Sequence, residues 1–308
     1  MTAAGAVLAV AGALGAPHAA QGAEQLASAD GITGAGTSFD GKQSKRLWGQ
    51  VSFSHYEEAN AFSALFGVGR RFWENIELEV ILPLAFGWER DSFQFISEPD
   101  GGSTIVPGER DFSGWIGNPY LGVNALWSEG AGARVRAGLG VALPLASWDE
   151  RDGVAEGLPV LGAGLQDPEL WLPGRLSFVG RARAEYGDEY VVALDLAVIA
   201  MIVTSQPEEV VDAGFVSSGA ERQSELVLQP AFELAAYATP STLLGVRVPL
   251  VRVTREAEAQ LSVEPFLRQT FGTAHVALKG TIAVDDPLGP NLDGGPLWRL
   301  QLGGGAEL

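Results

Sequence analysis

The sequence predicts an all-β protein: a transmembrane antiparallel up-and-down β-barrel of about twelve strands, with both termini on the periplasmic side. Three observations carry this. Apolar residues alternate with small or polar ones over runs longer than ordinary soluble strands. The connections between these runs sort by parity into tight turns and long loops. Aromatic residues gather at the ends of the runs, where barrels place them at the level of lipid headgroups.

The clearest segment is Ile76 to Trp88, in which Ile76, Leu78, Val80, Leu82, Leu84, Phe86 and Trp88 share one face and Glu77 and Glu79 fall on the other. Roughly 9–11 tilted residues suffice to cross a bilayer as a β-strand, so this segment is long enough to span. Two segments precede it. Leu47 to Tyr56 sets Val51 and Phe53 outward, and Ala61 to Phe72 sets Phe62, Ala64, Phe66 and Val68 outward. The fourth, Ser113 to Trp127, reads as one strand with Leu121, Val123, Ala125 and Trp127 opposite Tyr120, Gly122 and Asn124. The fifth, Gly132 to Leu145, opposes Val135, Leu139 and Val141 to Arg134 and Arg136.

In the sixth, Arg175 to Tyr186, Arg181, Arg183 and Glu185 alternate with Ala182, Ala184 and Tyr186. The seventh, Tyr190 to Val203, holds Asp195 among apolar residues, a placement that suits a lumen and not a soluble core. The eighth, Gln223 to Tyr237, opposes Leu226, Leu228, Phe232 and Leu234 to Val227, Gln229 and Glu233. Thr242 to Val253, Gln260 to Phe271 and Ala274 to Val284 follow. The twelfth, Leu297 to Leu308, alternates Trp298, Leu300 and Leu302 with Arg299, Gln301 and Gly303.

The connections after the even-numbered segments are short, for example Trp73-Glu74-Asn75 and Thr239-Pro240-Ser241. Those after the third, fifth and seventh are long, spanning residues 90–112, 146–174 and 204–222, and residues 285–296 form another extended link. Outer-membrane barrels show this asymmetry, with tight periplasmic turns and longer external loops. Phe72, Trp73, Trp127, Tyr186 and Phe271 lie toward the short turns, and Trp88, Trp115 and Trp298 toward the long loops, which predicts two aromatic girdles. The four long connections hold eighteen acids against four arginines, so most of the net charge of −18 is assigned to external loops.

Composition narrows the function classes. The acidic balance argues against nucleic acid, whose phosphates require Lys and Arg. Absence of Cys removes any need for a disulfide framework. Ala3 to Ala16, an apolar run followed by small residues to Ala23, reads as an export signal, residues 1–23. A polar lead-in, residues 24–45, then precedes a single barrel domain, residues 46–308. No later stretch approaches 18 continuous apolar residues, so spanning helices are not expected.

The inward parity collects charge: Glu77, Glu79, Arg134, Arg136, Arg181, Arg183, Asp195, Glu233, Arg247 and Arg268 are the candidate lumen lining. Mixed signs on neighbouring strands allow two readings, a structural ion-pair network or a selectivity lining. Pro83, Pro144 and Pro249 face the same way and should mark bends, because proline removes a ladder donor. An enzyme is not expected. His18, His55 and His275 have no convincing nucleophile partner, and no His/Cys ligand set suggests a metal or other cofactor.

Gly114-Trp115-Ile116-Gly117-Asn118-Pro119-Tyr120-Leu121-Gly122 resembles the Gly-x-Gly-Asp-x-x-Leu-Gly strand opening of the outer-membrane transporter family associated with phenol meta-cleavage pathways. Asn75-Ile76-Glu77-Leu78 and Leu82-Pro83-Leu84 are similar to that family's strand and proline pattern, and Asn118 stands where the motif has Asp. The resemblance implies an outer-membrane barrel for hydrophobic or aromatic small molecules, with no catalytic residues. The expected function is thus passive passage of small molecules; the alternative is a plugged barrel serving as an anchor or assembly partner. The expected partners are the lipid bilayer, lipopolysaccharide, the barrel-assembly machinery and an unidentified solute.

Overall fold

The computed structural model describes residues 45–56, 59–73, 75–89, 93–97, 103–107, 112–129, 132–146, 166–204, 224–254, 259–285 and 296–308. The signal segment and nearly all of the polar lead-in lie outside the described residues. The wall begins with β1 (Lys45–Tyr56), β2 (Ala59–Trp73) and β3 (Ile76–Glu89). β4 (Phe93–Ser97) and β5 (Ser103–Pro107) follow, then β6 (Phe112–Ile116), β7 (Tyr120–Glu129) and β8 (Ala133–Ala142). One four-residue helix, α1 (Pro168–Trp171), precedes β9 (Arg175–Tyr186) and β10 (Tyr190–Val203). β11 (Glu225–Thr239), β12 (Thr242–Val253), β13 (Ala259–Phe271), β14 (Ala274–Ala283) and β15 (Trp298–Glu307) complete the chain.

Sequential neighbours pair antiparallel around the ring. β1 closes it against β15, with Arg46 opposite Glu307 and His55 opposite Trp298. β6 and β7 are two parts of one span, both paired to β3, so the wall has twelve spans. The ring of paired strands satisfies most of the wall's backbone groups between neighbours, which is the condition for crossing lipid. Residues of one parity expose large apolar side chains, as Leu267, Leu278 and Leu302 do in adjacent registers of β13, β14 and β15. The other parity is buried and largely charged.

The fourth span departs from the sequence expectation. Ser113 to Trp127 reads as one strand, but the chain breaks between β6 and β7. Ile81 pairs with Tyr120 and Leu84 with Ile116, so three residues, Gly117 to Pro119, oppose two, Leu82 and Pro83. Pro83 has no N–H to give, and the bulge forms beside it; its carbonyl accepts from Gly117 N at 3.0 Å. The fifth span is also shorter than expected. β8 ends at Ala142, two residues before Pro144, and Leu143 N–H turns to the Pro119 carbonyl at 2.9 Å. Residues 90–112, read as loop, include the β4–β5 hairpin, which pairs as a separate sheet.

The aromatic girdle residues stand as follows. Phe72, Trp73, Trp127, Phe271 and Trp298 are exposed on the lipid-facing parity, and Trp88 and Tyr186 are half-buried. Phe53 packs between Trp88 and Trp298, with ring centroids 6.0 and 5.5 Å away. The Trp115 side chain lies outside the described residues.

Candidate functional site

The interior is held by ion pairs. Near the short-turn end, Arg46 of β1 donates to Glu77 and Glu79 of β3, each at 2.6 Å. Glu79 also accepts from Arg136 at 3.2 Å, from Asn124 at 3.3 Å and from Trp48 Nε1 at 3.3 Å. The pattern of β3 explains this: two glutamates at spacing two point to the same side, and their charge must be met inside a wall that is lipid-facing outside.

The network continues around the barrel. Arg134 pairs with Glu185 at 3.1 Å, and Arg183 reaches Glu185 at 3.2 Å, Asp195 at 2.9 Å and Glu233 at 3.0 Å. Arg247 joins Asp195 at 3.3 Å to Glu264 at 2.9 Å. Glu264 further faces Lys279 at 3.4 Å and Arg299 at 3.7 Å and accepts from Thr281 at 2.9 Å. Removing one member of such a buried pair costs on the order of 3–5 kcal/mol, because the partner stays buried and charged. Of the ten candidate lining residues, Glu77, Glu79, Arg134, Arg136, Arg183, Glu233 and Arg268 are buried and Arg181, Asp195 and Arg247 half-buried. Arg268 is almost fully buried beside Tyr237.

The loop between β8 and β9 adds what the strands do not supply. Residues 166–172 leave the wall, cross the lumen as a strap and carry α1. At the near wall, Asn118 sews the strap into the β6–β7 break. Its backbone N–H donates to Leu170 O at 2.8 Å, and its side-chain amide donates to Glu169 O at 3.0 Å and Leu172 O at 2.7 Å. Asn118 Oδ1 accepts from Ala146 N at 2.9 Å. Leu170 and Trp171 are buried against the inner wall. At the far wall, Gln166 donates to Glu264 at 2.8 Å and accepts from Arg299 at 3.2 Å; β15 stands diametrically across the ring from β9.

Midway, Asp167 and Glu169 both take hydrogen bonds from Arg181, the former at 3.1 Å. Asp167 precedes α1 in the left-handed region, φ 58° and ψ 43°, and makes no side-chain cap because its carboxylate is turned to Arg181. Asp tolerates this region better than most residues. Burial pushes the Glu169 carboxyl up to about 7, against the pull of Arg181. Across from the strap, the ring of Tyr120 lies under Arg181, 5.8 Å from its guanidinium. A Cβ at Gly140 would lie 2.2 Å from the Tyr120 hydroxyl, so only glycine leaves that ring its place.

These positions correct one expectation. Asp167 and Glu169 belong to residues 146–174, whose acids are assigned above to an external loop, yet both lie inside the barrel. They are drawn in because Arg181 would otherwise face the lumen without a counter-charge. Of the other loop acids, only Asp285 falls on described residues. Arg46, Asn118 and the strap are absent from the sequence-derived lining. A signal for the strap is the apolar Leu170-Trp171-Leu172 run directly after the acids Asp167 and Glu169.

Beside the strap the interior leaves a chamber of about 60 Å³, where one water needs roughly 10–15 Å³ of such space. Its wall includes Arg136, Arg181, Arg183 and Arg247 with Asp167 and Asp195, and the amides Asn124, Gln166 and Gln229. Among the described residues no group of three or more His, Cys, Asp or Glu is placed to hold a metal ion.

No family model and no curated protein matches the chain. Among solved structures, it is similar to an outer-membrane channel from Pseudomonas putida F1: 12% identical, over 86% of this chain and 96% of that one, with a TM-score of 0.52. The NanC porin aligns over 85% of this chain and 100% of its own, at 5% identity and a TM-score of 0.47. The first of these likenesses is one of fold. The chain is an outer-membrane-type β-barrel.

Proposed function

We propose that this barrel is a channel in the bacterial outer membrane for passive passage of small polar solutes, narrowed at mid-depth by the strap. The observation that supports this reading is the chamber: a small space inside the barrel bounded by charged and amide side chains. Rings of charged side chains set selectivity in such pores. On this reading the short turns face the periplasm and the long loops face outward.

The hydrophobic or aromatic cargo implied by the phenol-pathway resemblance fits the lining poorly, because an apolar solute would displace water from guanidiniums and gain no partner. Small polar solutes fit it better. Single-channel recording of refolded protein in planar bilayers should give small, discrete conductance steps, and liposome swelling should report uptake of small solutes. Absence of both would sink the channel reading and leave the plugged anchor.

A further inference from the structure

In four of the ion pairs around the chamber the base is more exposed than the acid it holds; Asp167 and Asp195 are the exceptions, at 18% against 14% for Arg181 and 11% against 7% for Arg183. Arg181 is 14% exposed against 0% for Glu169, and Arg247 is 14% exposed against 0% for Glu264. Arg183 is 7% exposed against 1% for Glu233, and Arg136 is 9% exposed against 2% for Glu79. Glu169, Glu264, Glu233 and Glu79 are therefore anchors sunk in the wall, each with a guanidinium in front of it. Only Asp167 and Asp195 put carboxylate on the chamber wall, against four arginines. A protein of net charge −18 thus encloses a cationic chamber.

We propose that this chamber is a subsite for small monovalent anions, carboxylates of acetate size among them. This rests on the channel reading and names its substrate class. The fit follows from chemistry. Guanidinium presents a planar fork of N–H donors that matches a carboxylate in two places, and Arg136, Arg181, Arg183 and Arg247 all line the space. Asn124, Gln166 and Gln229 supply further amide donors around the same space. The volume limits the guest to a few heavy atoms, which excludes oligomeric or aromatic acids from resting there.

A cation meets the reverse. The deep acids that would stabilise it are already held by arginine and are screened from the chamber by it. Low dielectric inside the barrel strengthens each of these interactions.

The test uses the full-length refolded protein in planar bilayers with a potassium acetate gradient, and acetate titration calorimetry of the same protein in micelles. The expected reversal potential has the sign of anion preference. It should shift toward the cation side in the paired variant Arg181→Gln/Glu169→Gln, which removes a lining base together with its buried acid. Gln229→Glu, which adds an acid to the chamber wall, should shift it the same way without breaking any pair named here. Conductance with cation preference, or with none, overturns the subsite and leaves the channel standing. If no current flows, the channel reading fails and calorimetry decides the subsite. Saturable one-to-one acetate binding that Gln229→Glu weakens supports it, and no binding overturns it.

Discussion

Asn118 does what no carboxylate could do at its position. Its amide gives two hydrogens to the Glu169 and Leu172 carbonyls while its oxygen takes one from Ala146. Aspartate, the residue that the resembled motif carries there, would aim negative oxygens at two carbonyls. The lost bonds and the desolvated charge together cost about 3 kcal/mol or more. Asn118→Asp should therefore unseat the strap before it unfolds the wall, whose own ladder does not depend on this side chain. Single-channel conductance should rise, and the urea midpoint in micelles should fall only modestly. A conductance unchanged from wild type would show that the strap is held from its far end, at Gln166 and Glu264.

The strap behaves as an element with a proton-linked seat. Glu169 has an ordinary value of 4.5 and is raised to about 7 by burial among Arg181 of β9, Asp167 of the strap and Tyr120 of β7. A carboxyl with a higher pKa in the seated state binds its proton more tightly there, so protonation favours seating. That contribution is fully present below 4.5 and is lost as pH rises through about 7. Open probability should accordingly increase between about pH 4.5 and pH 7 and level off above that. Glu169→Gln, which stays neutral throughout, should flatten the profile near its acid limb, as recorded from single channels at fixed salt.

The same element shows where sequence reading ends. β9, β10 and β12 match their expected bounds, because each is an alternating run closed by tight, polar turn residues such as Gly187-Asp188 and Pro240-Ser241. The inward parity of Glu77, Arg183 or Asp195 follows from the same period of two. The strap has no period. Its partners, Asn118 at one end, Arg181 midway and Glu264 and Arg299 at the other end, are fixed only once the wall has closed, so its acids read as ordinary loop charge. The break at Asn118-Pro119 was in principle visible, since that dipeptide is a turn signal. The alternation on either side of it masked the interruption.

At the scale of the whole molecule, inside and outside are exchanged relative to a soluble protein, and one substitution distinguishes the two environments. Leu278 lies in the middle of β14, 44% exposed, between Leu267 and Leu302 on the same outward face. On a water-facing surface, arginine at such a site would change stability by about 0.5 kcal/mol or less. On a lipid face near the bilayer midplane it should cost about 2–4 kcal/mol. Leu278→Arg should therefore shift the urea dependence of refolding into lipid vesicles by that amount. In detergent micelles, where the head group can reach water more readily, the loss should be smaller. Equal and negligible losses in both media would return this face to water and take with them the lipid belt and the enclosed charge of Glu77 and Glu79. The chamber depends on that same exchange, because those acids bind arginine so firmly only where lipid lies on the other side of the wall.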